Sequence, residues 1–300
     1  MASFYRFTAI ADPAALCDEL AAHGRAAQLR GTVLVAHEGL NATVAGSAAA
    51  VATMLARIER LPGCADLRVT RAHVARNPFR RLKVRVRSEI VTLGQPGIAP
   101  HRRTGTHVAP RAWDALLAEP RMVVLDTRND YEHRIGSFAG AVTPPIGHFR
   151  EFPRFVAAQF GDARPPVAMF CTGGIRCEKA SAYLLAQGFG EVYQLDGGIL
   201  RYLAETPVYT SRWRGACFVF DERVAVDHAL RPADYEQCPG CRQPVAAAER
   251  AMPGYEAGIS CPACHATLST AQRRGFAERR RQVALAGARD AAHLGAVMPR

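Results

Sequence analysis

Val167-Ala168-Met169-Phe170-Cys171-Thr172-Gly173-Gly174-Ile175-Arg176-Cys177-Glu178-Lys179-Ala180 decides how the middle of this 300-residue chain is built. Its four leading apolar residues show no polar alternation and read as a strand buried on both faces. A helix is expected from Glu178 through Leu185, so Cys171 closes a strand just before a tight loop turns into a helix. Working outward, Met122-Val123-Val124-Leu125-Asp126 and Val192-Tyr193-Gln194-Leu195-Asp196 are apolar runs of the same kind, separated by helical stretches. This alternation predicts a parallel α/β sheet, where chemistry gathers at the carboxyl ends of the strands. Asp126 and Cys171 fall there.

The loop after Cys171 has the composition of an anion cradle. Its backbone NH groups and the positive end of the following helix point at the sulfur, Gly173 and Gly174 let the chain curl closely, and Arg176 adds a cation. These features favour a thiolate or a persulfide; a structural cysteine needs none of them. Cysteine phosphatases place an arginine six positions after the nucleophile, whereas here that position is Cys177 and Arg176 comes one earlier. The shorter loop suits a sulfur atom better than a phosphate. Cys171 is the candidate catalytic residue, in a loop made with Thr172, Gly173, Gly174, Ile175, Arg176 and Cys177. Cys177 either resolves an oxidised Cys171 or packs behind the loop. Asp126, Arg128 and Glu132 have the spacing of acids and bases that pair and brace such a loop, with substrate contact as the alternative.

Ahead of this unit, strands at residues 3–10, 31–36 and 41–46, helices over about 13–30 and 47–60, and strands near 67–74 and 81–93 give a βαββαβ-like order. This is a small α+β domain over residues 1–95, ferredoxin-like (acylphosphatase-like), with a loop rich in Gly, Pro and basic residues after it. In Leu82-Lys83-Val84-Arg85-Val86-Arg87 the alternation puts Leu82, Val84 and Val86 inward and Lys83, Arg85 and Arg87 outward, a cationic stripe or a solvated face. The α/β unit is expected over 101–215 and a cysteine-rich module with a basic helical tail over 216–300, an α/β and α+β multidomain chain. In that module Cys238, Cys241, Cys261 and Cys264 form two Cys-x-x-Cys pairs at zinc-ribbon spacing, with structural zinc the expected metal, a redox dithiol or empty thiols the alternatives, and His265 a bystander.

The formal charge of +11 is uneven: 13 basic residues face 7 acidic ones over 1–100, 15 face 14 over 101–230, and 10 face 6 over 231–300. The surplus at the two ends suits a polyanion, although only Lys83 and Lys179 are lysines and arginine usage can also follow genome composition. No apolar run approaches a membrane span, and the start Met1-Ala2-Ser3-Phe4-Tyr5-Arg6 lacks the pattern of a signal peptide, so a cytoplasmic protein without membrane contact is expected. An odd nine cysteines in such a compartment argues for metal and thiol chemistry rather than a disulfide framework, with Cys17 and Cys64 left as core or surface residues.

The Cys171 loop, the stretch from Asp126 to Glu132 and the turn Asp196-Gly197-Gly198-Ile199 resemble a rhodanese-type domain. Together with Gly31-Thr32-Val33-Leu34-Val35-Ala36-His37-Glu38-Gly39-Leu40-Asn41, Leu82-Lys83-Val84-Arg85 and Phe218-Val219-Phe220-Asp221-Glu222-Arg223, they resemble the oxygen-dependent tRNA uridine hydroxylases that carry a rhodanese domain. The resemblance spans about residues 3–225. Leu40 and Ala42 depart from the isoleucine and glycine expected there. What the resemblance implies is formation of 5-hydroxyuridine at the tRNA wobble position with molecular oxygen, an unidentified electron donor, and Cys171 as the catalytic cysteine. His37, Glu38 and Asn41 are candidate contacts to tRNA or the target base, with a turn held by its own side chains as the alternative; Lys83, Arg85 and Arg87 are candidate tRNA contacts on charge alone, and the anticodon region is the expected partner. A sulfurtransferase or sulfur carrier served by a sulfur donor is the competing enzyme. A noncatalytic RNA-binding protein is a third reading, which an intact Cys171 loop disfavours.

Overall fold

A computed structural model describes residues 1–74 and 76–289. The first unit runs β1 (Ala2–Phe7), α1 (Pro13–Ala26), β2 (Arg30–Ala36), β3 (Gly39–Ala45), α2 (Ala48–Glu59) and β4 (Val69–Arg71). The Asp12 side chain accepts the Ala14 and Ala15 amides at 3.0 and 2.9 Å, and Pro13 opens the first turn, so α1 starts where its free NH groups find partners. Ser47 caps α2 in the same way. The strands lie in the order β4-β1-β3-β2, each antiparallel to its neighbour, as the ferredoxin-like reading requires. Phe4, Leu20, Val33, Leu40, Val44, Met54 and Ile58 fill the space between sheet and helices.

The last strand departs from expectation. β5 (Leu82–Val86) stops at Val86 rather than Leu93, and it joins the far edge of the sheet, parallel to β2, as a fifth strand beyond the βαββαβ set. An edge position covers one flank only, so Leu82 and Val84 are half-buried and Val86, expected inward, is 46% exposed. Lys83, Arg85 and Arg87 are exposed. Past Val86 the chain leaves the sheet: the Glu89 carboxylate accepts the Leu93 and Gly94 amides at 3.0 and 3.1 Å, and Ile90 and Leu93 are buried elsewhere.

The second unit contains β6 (Thr106–Val108), α3 (Pro110–Leu116), β7 (Val123–Asp126), α4 (Asp130–His133), β8 (Gly136–Phe138), α5 (Phe152–Phe160), β9 (Val167–Phe170), α6 (Ile175–Ala186), β10 (Val192–Leu195) and α7 (Gly198–Glu205). Its sheet is parallel, in the order β6-β10-β9-β7. Every residue of β9 is buried, and strand geometry divides them: Val167 and Met169 join one apolar cluster, Ala168 and Phe170 another on the opposite face. The second cluster also takes in Trp213, Cys217, Val219 and Val226, so this core runs past residue 215.

β11 (Trp213–Gly215) pairs with β8, β12 (Cys217–Phe218) with β13 (Ala225–Val226), and β14 (Tyr235–Gln237) with β15 (Pro244–Ala246). α8 (Thr270–Gly287) begins with a reciprocal Ser269–Gln272 cap and buries none of its residues. Among the described residues no helix is long and apolar enough to cross a membrane.

Candidate active site and metal centre

β9 delivers Cys171 to the sheet's carboxyl edge, and the sulfur is covered there: Cys171 is 1% exposed. Its Sγ accepts the Gly174 amide at 3.1 Å. Gly174 has φ +95°, and a Cβ on it would come 2.8 Å from the Tyr5 hydroxyl, so the curl that aims this amide at the sulfur needs a glycine. The loop is closed from the other side by the turn before α7. Ile199 and Leu200 donate their amides to the carbonyls of Cys171 and Thr172 at 2.9 and 3.1 Å, and a Cβ on Gly198 would lie 2.5 Å from the Cys171 carbonyl oxygen.

Burial alone would push the Cys171 thiol up. Its contact with Cys177, the Arg176 guanidinium, and the backbone amides of Cys177 and Arg176 outweigh burial and bring its pKa down to about 6. Cys177 moves the opposite way, raised by burial and by Cys171, so the pair holds one anionic sulfur, on Cys171. Cys177 is fully buried with its Sγ 3.6 Å from the Thr127 hydroxyl, and Cys217, also buried, is pushed up to about 12 by desolvation.

Two buried ion pairs frame the loop. Arg176 forks onto Glu132, Nη1 to Oε1 at 2.5 Å and Nη2 to Oε2 at 2.7 Å. Arg128 forks onto Asp126, Nε to Oδ1 at 2.9 Å and Nη2 to Oδ2 at 2.6 Å, and also donates to the Gly136 carbonyl. Ser137 donates to Asp126 at 2.8 Å, and Asn129 donates its amide to Glu132 at 3.1 Å. Asp126, Arg128 and Glu132 therefore spend their polar atoms on protein partners, Glu132 on the loop's own arginine.

The remaining candidates have other partners. Glu38 accepts the Ile90 amide at 2.7 Å and pairs with Lys179 at 2.8 Å, and Asn41 donates to the Ile90 carbonyl at 3.2 Å. These two side chains hold the segment after β5 and tie it to α6. His37 is exposed, with Nδ1 3.0 Å from the Ile10 carbonyl. Lys83, Arg85 and Arg87 stay on the outer face of β5.

Sequence reasoning missed the seam between the units. Glu178, in the first turn of α6, sits 3.1 Å from Tyr5 Oη, 3.0 Å from His107 Nε2 and 2.9 Å from Thr104 Oγ1. Burial would raise its pKa, yet His107, Thr104 and Tyr5 hold it below the usual carboxylate range. Lys179, 2% exposed, pairs with Glu38 and Glu89. The signal available was the placement of a glutamate and a lysine on the buried side of a helix that already carries the thiol loop.

Cys238, Cys241, Cys261 and Cys264 bring their sulfurs within 4.8 Å of one another, with Cys238–Cys264 and Cys241–Cys261 at 3.6 Å and Cys261–Cys264 at 3.8 Å. Four thiolates about 2.3 Å from a tetrahedral zinc are about 3.8 Å apart, so this cluster has the size to hold a metal such as zinc. His265 is not among the convergent donors.

A parallel α/β sheet with a thiolate cradled between strand and helix defines a rhodanese-like protein, here preceded by a second, ferredoxin-like unit. The family profile "UPF0176 acylphosphatase like domain" matches residues 1–90, and "Rhodanese-like domain" matches 109–205. Proteins named tRNA uridine(34) hydroxylase are similar over the whole chain: that of Albidiferax ferrireducens is 50% identical across 98% of this chain and 94% of its own length. That of Jannaschia sp. is 49% identical across 99% and 98%, and that of Caulobacter vibrioides 47% across 100% and 97%. The chain belongs to the tRNA uridine(34) hydroxylase family.

Two outcomes are expected. Thiolate absorbance near 240 nm, taken as the difference between the parent and Cys171→Ser, should titrate with a midpoint near pH 6. Arg176→Lys, which loses the fork onto Glu132, should move that midpoint upward; an unchanged midpoint would remove Arg176 from the account. Because the folded pKa is depressed from 9.0 to about 6, the thiolate's contribution to stability is complete above about pH 9 and lost as pH falls through 6. Metal analysis of protein purified without chelator should find one bound metal per chain. Cys261→Ser should lower that content and expose the 235–268 region to protease; metal-free parent protein with the same protease resistance would refute a structural metal.

Proposed function

We propose that this chain is a tRNA-modifying oxidoreductase that converts the wobble uridine of tRNA, position 34, to 5-hydroxyuridine, with Cys171 acting on the base. Full-length similarity at 50% identity to a tRNA uridine(34) hydroxylase carries the reading. The site's chemistry agrees with it, since a thiol held as an anion is the form that reacts. Molecular oxygen is the oxidant: one oxygen atom enters the C5–H bond of uracil and the other leaves as water, taking up two protons and two electrons from a separate donor. Gly174 and the first amides of α6 hold the charge on Cys171, and Arg176 with Glu132 keeps the loop in place. The same cradle would hold a persulfide if a sulfur donor loads Cys171, which is the form the sulfurtransferase reading needs.

The four-cysteine centre takes zinc in a structural role, because four thiolates leave no open position for chemistry. The substrate is bound through its anticodon region in the cytoplasm. Residues 1–95, with the Lys83, Arg85 and Arg87 face, and the basic end of 216–300 follow the phosphate backbone on either side of the catalytic unit, 101–215.

Nucleosides from tRNA of a deletion strain, complemented with the parent gene or with Cys171→Ser, test the reaction by mass spectrometry. Parent should restore 5-hydroxyuridine, and Cys171→Ser should fold normally and yield about a hundredfold less. Restoration by the serine variant, or sulfur-containing nucleosides in place of hydroxylated ones, would overturn the proposal. Replacing Lys83, Arg85 and Arg87 together by Gln should weaken tRNA binding and flatten its salt dependence by up to about 3 log–log units; an identical slope would make this stripe a solvated face.

A further inference from the structure

Phe220 is 64% exposed, although the turn that carries it is held on several sides. Arg223 forks onto Asp221 at 2.9 and 2.6 Å, Val219 donates its amide to the Val224 carbonyl at 2.9 Å, and Val224 itself is kept at φ +63°. The first unit clamps the turn as well, since the Glu222 amide donates to the Pro78 carbonyl at 3.1 Å and Arg80 pairs with the Glu222 carboxylate. A β-branched residue in the left-handed region and an ion pair reaching across the seam keep a large apolar ring in water at a fixed place.

That place adjoins the thiol loop. The Phe220 ring lies edge-on to buried Phe218 at 5.1 Å, and Phe218 edge-on to Tyr131 at 5.4 Å, in the segment that supplies Glu132. The Arg176 guanidinium, whose charge acts on Cys171, is 5.9 Å from the Phe220 ring centre. Within the loop, Thr172 is 8% exposed and its hydroxyl has no partner. Beside this turn Arg223 and Arg80 are matched to Asp221 and Glu222, and Arg71 is exposed.

We propose that Phe220 is the platform on which the pyrimidine ring of the substrate uridine stacks at the mouth of the Cys171 loop. The inference rests on the tRNA reading above and adds the residue that receives the base. An aromatic face offers any unstacked base a partner, and single-stranded loops are where proteins splay bases out. The Arg176 guanidinium lies over one face of the Phe220 ring, so the base takes the other face, and the ring links it to the arginine of the thiol loop. Arg176 thus serves two neighbours, the sulfur on one side and the aromatic platform on the other.

Anticodon stem-loop RNA carrying either uridine or an abasic ribose at position 34 tests this with the full chain. The parent should bind the uridine form about tenfold or more tightly than the abasic form. Phe220→Ala should remove that preference while leaving affinity for the abasic RNA and the Cys171 titration midpoint unchanged, and Phe220→Tyr should restore most of it. A preference retained by Phe220→Ala, or a parent that binds both RNAs equally, overturns the platform and leaves the tRNA reading intact. A change in self-association of Phe220→Ala without loss of base preference overturns it too, because the ring then covers a protein surface. A parent with no affinity for either RNA overturns both the platform and the tRNA reading.

Discussion

The fork of Arg176 onto Glu132 is the contact on which the site depends. Both groups are buried, so each requires the other: a guanidinium or a carboxylate left alone in that interior costs several kcal/mol. The pair is also close to neutral, and a guanidinium already matched to a carboxylate cannot by itself hold a second anion on Cys171. What remains is the contact with the Cys177 thiol, the largest lowering cause, and then the backbone. The amides of Gly174, Arg176 and Cys177 at the start of α6 carry no compensating charge of their own, and they face a sulfur whose hydration has been removed. Arg176 adds its field and fixes the loop in the curl that aims those amides. The Asp126–Arg128 pair repeats the arrangement one layer further in, ending in the Gly136 carbonyl and the Ser137 hydroxyl.

The helix that faces the sulfur with its amino end carries the seam two residues later. Glu178 gathers Tyr5, Thr104 and His107, and Lys179 gathers Glu38 and Glu89, so the ferredoxin-like sheet is docked onto the first turns of α6. Tyr5 also abuts Gly174. The position of the first unit and the shape of the thiol loop are therefore one mechanical problem.

Charge on β5 answers to two demands. An edge strand with free NH and CO groups invites pairing with another chain, and lysine or arginine along it discourages that. The same Lys83, Arg85 and Arg87 suit a phosphate backbone, and Arg242 from the cysteine-rich module comes close enough to help lower the Lys83 pKa, after burial and the neighbouring Arg81 and Arg85.

Local chemistry made much of this legible in the sequence alone. Unbroken apolar runs identify strands covered on both faces, a Cys-Thr-Gly-Gly-Ile-Arg loop between such a strand and a helix identifies an anion cradle, and two Cys-x-x-Cys pairs identify four sulfurs that converge. Each depends on residues within a few positions of one another, or on donors whose chemistry leaves little else for them to do. Tertiary structure alone decided the rest. β5 pairs at the far edge of the sheet and ends at Val86 because strand partners are chosen in three dimensions, while alternation continues in sequence whether or not a neighbour covers it. Glu132 pairs with Arg176 rather than with Arg128, and Glu38 and Asn41 hold the segment around Ile90, because charges and hydrogen bonds are matched by distance in space. Phe220 comes to stand beside Arg176, 44 positions away in the chain, for the same reason: only packing of the turn against both units brings an exposed ring next to the arginine of the thiol loop.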